Sequence, residues 1–352
     1  MIPTKSFLHQ LPKAELHCHL LGTVRKQTFE DLVRKVKAPL SQASPISQED
    51  IDSFYTRGDK PVGVLRVLRA LDEWLLQSPD DFYRISYEYL ADAAAHNVRY
   101  AEFFWNPTGT AKVSGLPYPR VLEAIRRAIV DAERDLGIIG RLVPSIDREA
   151  GADAALEMVQ WVLAHRCDEV PGIGMDYREN DFPPEWFEAA YRLAREQGLK
   201  TTAHAGEFGM PWPNVKTAMD VLKVDRIDHG YTVIDNLKLV QQALERELVF
   251  TVVPTNSYYL RTLPSERWAL DHPIRRMMAL GLKLHPNTDD PTLHHVNPTE
   301  AWHMMVQHFG AGIKDVQGFM HNGLDAAWID ESTRQQWRKA WSAEFTDLEK
   351  TL

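Results

Sequence analysis

PEWFEAAYRLAREQG (184–198), running directly into LKTTAHAG (199–206), is the stretch on which the fold turns. Its first half spaces apolar residues at helical intervals between charges and ends on Gly198, as a helix C-cap often does. Its second half is a short strand-like run that finishes on a histidine. A helix feeding a strand in this way belongs to a chain of crossover connections, and crossovers make parallel strands.

Working outward, the same unit recurs. Strand-like runs are read at AELHCHL (14–20), VRYAEFFW (98–105), GRLVPSID (140–147), GIGMD (172–176), DRIDHG (225–230), LVFTVVP (248–254) and LKLHPNT (282–288). With 199–206 they make eight, separated by amphipathic stretches such as PRVLEAIRRAIVDAERDLG (119–137). Eight strands alternating with helices predict an α/β fold of the TIM (β/α)8 barrel type, one domain spanning 1–352. One connection breaks the rhythm. Between 24 and 96 several helical patterns, GVLRVLRALDEWLLQ and DDFYRISYEYLADAAAHN the clearest, predict a helical insertion after the first strand, over the barrel mouth. A polar-faced helix is expected over 330–350.

Composition narrows the class. Of 352 residues 44% are hydrophobic and 25% charged, ordinary for a soluble globular protein able to bury a large core. A formal charge of −9 argues against a nucleic acid or an anionic membrane as partner. The two cysteines, Cys18 and Cys167, supply neither a disulfide framework nor a CxxC pair. No run of 18 apolar residues is present, and the N-terminus shows no basic segment leading into an apolar one. A cytoplasmic protein is expected.

Polar residues then gather where such a barrel does its chemistry. Side chains two apart on a strand share a face, so His17 and His19 of HCH point together while Cys18 points away into packing. Taken alone, the pair reads equally as metal ligands or as hydrogen-bonded core histidines. Other strand ends shift the balance: TTAHAGE ends on His204 and Glu207, RIDHG on His229, and HPNTDDP on Asp289 and Asp290. In a parallel barrel the C-terminal strand ends form one mouth, where catalytic residues reside. Three imidazoles and a carboxylate there suit a divalent metal with an open position for water. A metal-dependent hydrolase is the reading that the residues alone support.

With these motifs in view, the chain resembles the adenosine deaminase family of zinc aminohydrolases, from LPKAELHCHLLGT through AHAGE and RIDHG to NTDDP. The resemblance implies a (β/α)8 barrel with one zinc per chain, held by His17, His19, His204 and Asp289. It also implies hydrolytic deamination of a 6-aminopurine such as adenosine. Glu207 would protonate the purine N1, His229 would orient the attacking water, and Asp290 would contact that water or the purine N7. The chemistry asks for these groups. Replacing a ring amino group needs a strong nucleophile and a protonated ring nitrogen, and a carboxyl beside N1 serves as general acid.

Two departures bear on substrate. Nucleoside-acting members carry HxHLDG, whose Asp contacts ribose; HCHLLG has Leu21 there, which cannot accept a hydroxyl hydrogen bond. They also read DLxGxE on the fourth strand, where GMDYREN has Tyr177, whose backbone N–H can still reach the purine N3. GMDYRENDFPPEWF is closer to the adenine-deaminase branch, GLDSSExxxPPxxF, although that branch's HxEG glutamate is again Leu21. Adenine or a modified adenine is therefore the alternative substrate. Another zinc amidohydrolase, cleaving an amide or ester, would not need the HAGE glutamate. A non-catalytic barrel would not need all seven mouth residues. A cytidine-deaminase type of site is disfavoured because H-x-E…P-C-x-x-C is missing. Among the remaining residues, His294 and His295 read as loop residues or substrate contacts, His285 as core, and Glu102 as either a buried ion pair or nothing functional.

Overall fold

A computed structural model describes residues 2–36, 49, 51–52, 55, 64–255 and 266–352. Eight strands form one sheet in the order of the sequence: β1 (Lys13–Glu15), β2 (Val98–Trp105), β3 (Ile139–Asp147), β4 (Gly172–Asp176), β5 (Lys200–Ala205), β6 (Arg226–His229), β7 (Val249–Val252) and β8 (Lys283–Pro286). Every neighbouring pair from β1 to β8 is parallel. Helices such as Tyr118–Leu136, Ala152–Ala164, Glu188–Glu196 and Leu237–Glu245 return the chain between them. The result is the expected TIM barrel.

The helix–strand unit at 184–206 shows how sequence sets the geometry. Glu188–Glu196 buries Ala190, Tyr191 and Ala194 on one face. Gly198 then takes φ +78° and its N–H bonds to the Arg195 carbonyl at 2.9 Å, while the Leu199 N–H reaches Ala194. A residue with a Cβ would be strained in that left-handed turn, which is why glycine ends the helix here. The chain leaves directly into β5, and His204 is delivered at its C-terminal end.

The first strand departs from expectation. Regular pairing covers Lys13–Glu15 rather than 14–20, because a 3-10 turn begins at Leu20 and the register shifts after Lys13. His17 to His19 nevertheless stay extended, with bridges from Cys18 to Asp289 and from His19 to Phe104. The barrel closes through these residues. The Asp289 N–H donates to the His17 carbonyl at 3.0 Å, and the His19 N–H donates to the Asp289 carbonyl at 2.8 Å. Side chains finish the seam: Asn287 accepts from the Leu16 N–H at 2.8 Å, and Glu15 accepts the Thr288 N–H and hydroxyl at 2.8 and 2.9 Å.

Between β1 and β2 stand Lys26–Val36, Val64–Ala70 and Pro79–Ala94, the last packing against Tyr118–Leu136 as a crossover helix would. Of the insertion expected over 24–96, residues 37–48, 50, 53–54 and 56–63 lie outside the described residues. The helix expected at 330–350 runs over Glu331–Glu349. Among the described residues no helix is long and apolar enough to cross a membrane.

At the N-terminal ends of the strands the barrel is sealed by a buried ion pair. Glu102 accepts from Arg226 at 2.5 Å, from the Tyr100 hydroxyl at 2.7 Å and from the Trp328 N–H at 2.7 Å. The Arg226 guanidinium lies 4.2 Å over the Trp328 ring. Of the two readings of Glu102, the buried ion pair is the one found. Higher in the barrel Phe104 packs edge-on at 5.5 Å against both His17 and His204, a floor beneath the mouth.

Candidate active site

The mouth residues stand just past or at the ends of four strands, so the fold brings together what the sequence scatters. His17 and His19 follow β1, His204 closes β5, His229 closes β6, and Asp289 and Asp290 follow β8. All six are buried or nearly so. Nε2 of His19 lies 3.1 Å from Nε2 of His204 and 3.1 Å from Oδ1 of Asp289, whose Oδ1 is 3.5 Å from Nε2 of His17. His229 belongs to the same group: its ligand atom and those of His17, His204 and Asp289 all lie within 4.8 Å of one another.

The donor set fits a metal. Four ligands at about 2.0–2.1 Å in a tetrahedron stand roughly 3.3 Å apart, and the three distances just given fall near that spacing. Among the described residues the fully buried Nε2 of His17 finds no hydrogen-bond partner, an arrangement that is costly without a ligand. The other ring nitrogens explain the orientation. Nδ1 of His17 faces the carbonyl and hydroxyl of Thr251 at 3.2 and 3.1 Å. Nδ1 of His19 faces Asp176 at 3.3 Å, and Nδ1 of His204 faces Asp228 at 3.3 Å. Acceptors on Nδ1 keep the proton there and turn the Nε2 lone pairs into the mouth. Asn106 in turn donates to Asp176 at 2.6 Å, and the Thr251 hydroxyl to Asp228 at 2.7 Å.

The two adjacent carboxylates are driven apart. Burial raises both, but the neighbouring His17 and His19 rings hold Asp289 well below the usual carboxylate range. Asp290 has no such partner; burial and the neighbouring Asp289 push it well above that range. Burial together with His17 and His204 holds the His229 ring far below its ordinary value, so it stands neutral. Its Nε2 is 3.5 Å from Oε2 of Glu207, and its Nδ1 faces the Tyr231 hydroxyl at 3.2 Å.

Backbone conformation aims these groups. Tyr177, His229 and Asp289 take φ of +64°, +65° and +65° at the ends of β4, β6 and β8. Left-handed non-glycine residues cost on the order of 1–3 kcal/mol each and persist where surrounding structure holds them. Gly22 is required for a different reason: a Cβ there would lie 1.9 Å from Oδ1 of Asp290.

The cavity above has one polar wall, of His19, Asp176, His204, Glu207, Asp289 and Asp290. Its other wall is Val64, Leu65, Leu68, Tyr177 and Phe208, with His294 at the edge. Val64, Leu65 and Leu68 come from the helix Val64–Ala70, so part of the segment after β1 does stand over the mouth. Arg69 of the same helix lies 3.9 Å over the Tyr177 ring and pairs with Asp147 at 2.7 Å. The structure does not bring Leu21 to this wall; it is 4% exposed and packs in the main core. His285 is core as expected, its ring nitrogens facing the carbonyls of Phe319 and Ala14.

Sequence reasoning passed over Asp176, Asp228, Thr251 and Glu179. Two of them were within sight: Asp176 and Asp228 each stand beside a residue already singled out, Tyr177 and His229. Their partners lie on neighbouring strands, as in the register of His204 with Asp228, which sequence does not display.

A family model described as adenosine deaminase matches residues 12–340. An adenine deaminase of Vibrio parahaemolyticus is 30% identical over 339 residues, 95% of this chain and 96% of that relative. An amidohydrolase of Burkholderia ambifaria, solved with bound zinc, is 61% identical, with a TM-score of 0.95 over 99% of this chain and 94% of its own. The adenine deaminase of Arthrobacter aurescens is 26% identical, with a TM-score of 0.84 over 96% and 99%.

Proposed function

The chain belongs to the adenosine deaminase family, and from that premise we propose that it is a zinc-dependent aminohydrolase that converts a 6-aminopurine to the 6-oxopurine and ammonia, with the free base adenine or a modified adenine as the preferred substrate. One observation carries the reading: His17, His19, His204 and Asp289 converge on one point beside Glu207, His229 and Asp290. His17, His19, His204 and Asp289 would hold the zinc, which when bound brings the pKa of water down to roughly 7. The chain's residues do the rest. Glu207 gives its proton to the purine N1, so that the ring accepts attack at C6. His229, neutral and 3.5 Å from Glu207, accepts a proton from the attacking water. Asp290, held protonated by burial and by Asp289, donates to the purine N7. Tyr177 offers its backbone N–H to N3 and its ring to the pocket wall. The helix Val64–Ala70, which lines the cavity, would help exclude water from the mouth of a single domain.

The adenine arm is supported by the relatives named adenine deaminase. Both cysteines are free thiols, which supports a reducing, cytoplasmic setting.

The test compares kcat/KM for adenine, N6-methyladenine, adenosine, 2′-deoxyadenosine and 5′-deoxyadenosine with zinc-loaded protein, following purine absorbance and ammonia. Adenine or its N6-methyl analogue should lead. Adenosine ahead of both by more than about 100-fold, roughly 2.7 kcal/mol, would overturn the free-base arm. Ammonia from none of the five would overturn the deaminase reading itself.

A further inference from the structure

Glu207 stands outside regular structure. It follows β5 in a turn where Gly206, Phe208 and Gly209 take φ of +68°, +48° and +71°, and no strand ladder fixes its backbone. What does fix it is a second carboxylate. Oε1 of Glu179 accepts the Gly206 N–H at 3.0 Å, and Oε2 accepts the Glu207 N–H at 3.0 Å. Asn214, on the helix Trp212–Thr217, donates to Oε1 at 2.8 Å. Two consecutive amides held by the two oxygens of one planar group fix both peptide planes, and with them the direction of the Glu207 Cα–Cβ bond. Glu179 is 1% exposed and is not part of the cavity wall, so it reaches the reaction only through that backbone.

A companion arginine steadies the same corner. Arg148, fully buried, donates to the carbonyls of Asp176 and His204 at 3.1 and 2.6 Å, tying the ends of β4 and β5 together. Glu179 then extends that tie past the end of β5. Its two acceptor oxygens and its reach from the loop after β4 are what the position requires. Glutamine would turn an NH2 group toward an amide N–H, donor against donor, and aspartate would fall one methylene short.

We propose that Glu179 is a positioning residue that sets the general acid Glu207 by clamping the Gly206 and Glu207 amides. The inference rests on the role given to Glu207 under the proposed function.

The test uses the full-length zinc-loaded enzyme with adenine as probe. Glu179→Gln should lower kcat about 10–100-fold, as displacement of a catalytic group does, with KM unchanged within about threefold and metal content unchanged. In a Glu207→Gln background the same change should add almost nothing, because its effect passes through the missing carboxyl. Further loss of similar size in that background, or kcat within about twofold of wild type in the single variant, overturns the proposal. Asn214→Ala, a milder change, should give a smaller loss that also vanishes in the Glu207→Gln background, and serves if Glu179→Gln does not fold. Amide hydrogen exchange supplies an arm independent of substrate. The Gly206 and Glu207 amides should exchange faster in Glu179→Gln while those of Thr201–Ala203 do not change; equal exchange at 206 and 207 overturns the clamp. If wild type leaves adenine intact, the functional reading falls, and exchange still judges Glu179.

Discussion

Oδ2 of Asp228 stands 3.3 Å from Nδ1 of His204, on the adjoining strand and in register with it. Burial would raise this carboxyl, but His204 and the nearby His17 hold it far below the ordinary range. It is therefore an anion that keeps a proton on the far side of the imidazole. The near side is left free to bind.

Asp228→Asn should weaken zinc binding about 10–100-fold, the usual worth of such an outer partner. Asp176→Asn should do the same through His19. Competition against a chromogenic chelator measures it. An unchanged dissociation constant in both variants would show that these carboxylates do not tune the ligands.

Glu207→Gln keeps size and hydrogen-bonding capacity but lacks the acidic proton. Turnover of the preferred purine should fall about 10²–10⁴-fold, with one zinc still bound. Near wild-type turnover would remove Glu207 from the proton transfer.

The ion pair at the closed end of the barrel should matter for stability and not for metal. Glu102→Gln leaves the Arg226 charge buried without its partner, and should cost about 3–5 kcal/mol. Adding Arg226→Met should restore much of the loss, since an apolar pair carries no stranded charge. Urea unfolding of the single and double variants measures both. A double variant no more stable than Glu102→Gln would argue against the stranded charge as the cause.

His272 should contribute to acid lability. Its Nδ1 accepts the Ile274 N–H at 3.2 Å, capping the helix Pro273–Ala279, and a cap of this kind needs the unprotonated ring. Burial lowers its pKa to about 3. The unfolded chain takes up that proton near pH 6.5 and the native chain does not, so the cap's contribution is whole above 6.5. It is lost progressively as pH falls toward 3, at up to about 1.4 kcal/mol per pH unit. His272→Asn retains a capping oxygen and removes the titration. Its stability should fall less steeply between pH 6.5 and 5 than that of wild type, whatever its starting level. Parallel slopes would clear His272.

The alternation that predicts eight parallel strands is legible because buried strands between amphipathic helices leave two different periodicities in one chain. Strand positions agree to within a few residues except at 14–20, where pairing ends at Glu15 and the seam is carried instead by Asn287, Thr288 and the Asp289 backbone. Histidines and acids at strand ends were legible for a similar reason: an ionisable group terminating an apolar run is conspicuous. Asp176, Asp228 and Thr251 were not, because their meaning lies across a strand boundary, in a hydrogen bond between residues far apart in sequence. Glu179 falls on the acid of the GLDSSExxxPPxxF pattern, but its role was hidden. Its partners are two backbone amides, and amides carry no sequence signal.

The closure between β1 and β8 also gives the chain a history. A polypeptide leaves the ribosome from its N-terminus, and early segments begin to organise while later ones are still being made. His17, His19, His204 and His229 are all exposed to the cell before residue 289 has been added. Until then the β1 edge has no neighbour on its open side, and the Nε2 atoms of the gathered imidazoles lack the Asp289 carboxylate beside them. The Asp289 backbone, bonded to His17 on one side and His19 on the other, supplies the last rung, and its side chain the last of the ligands proposed for the metal. A nascent chain that stalls before β8 is therefore an open sheet whose mouth still lacks the Asp289 carboxylate.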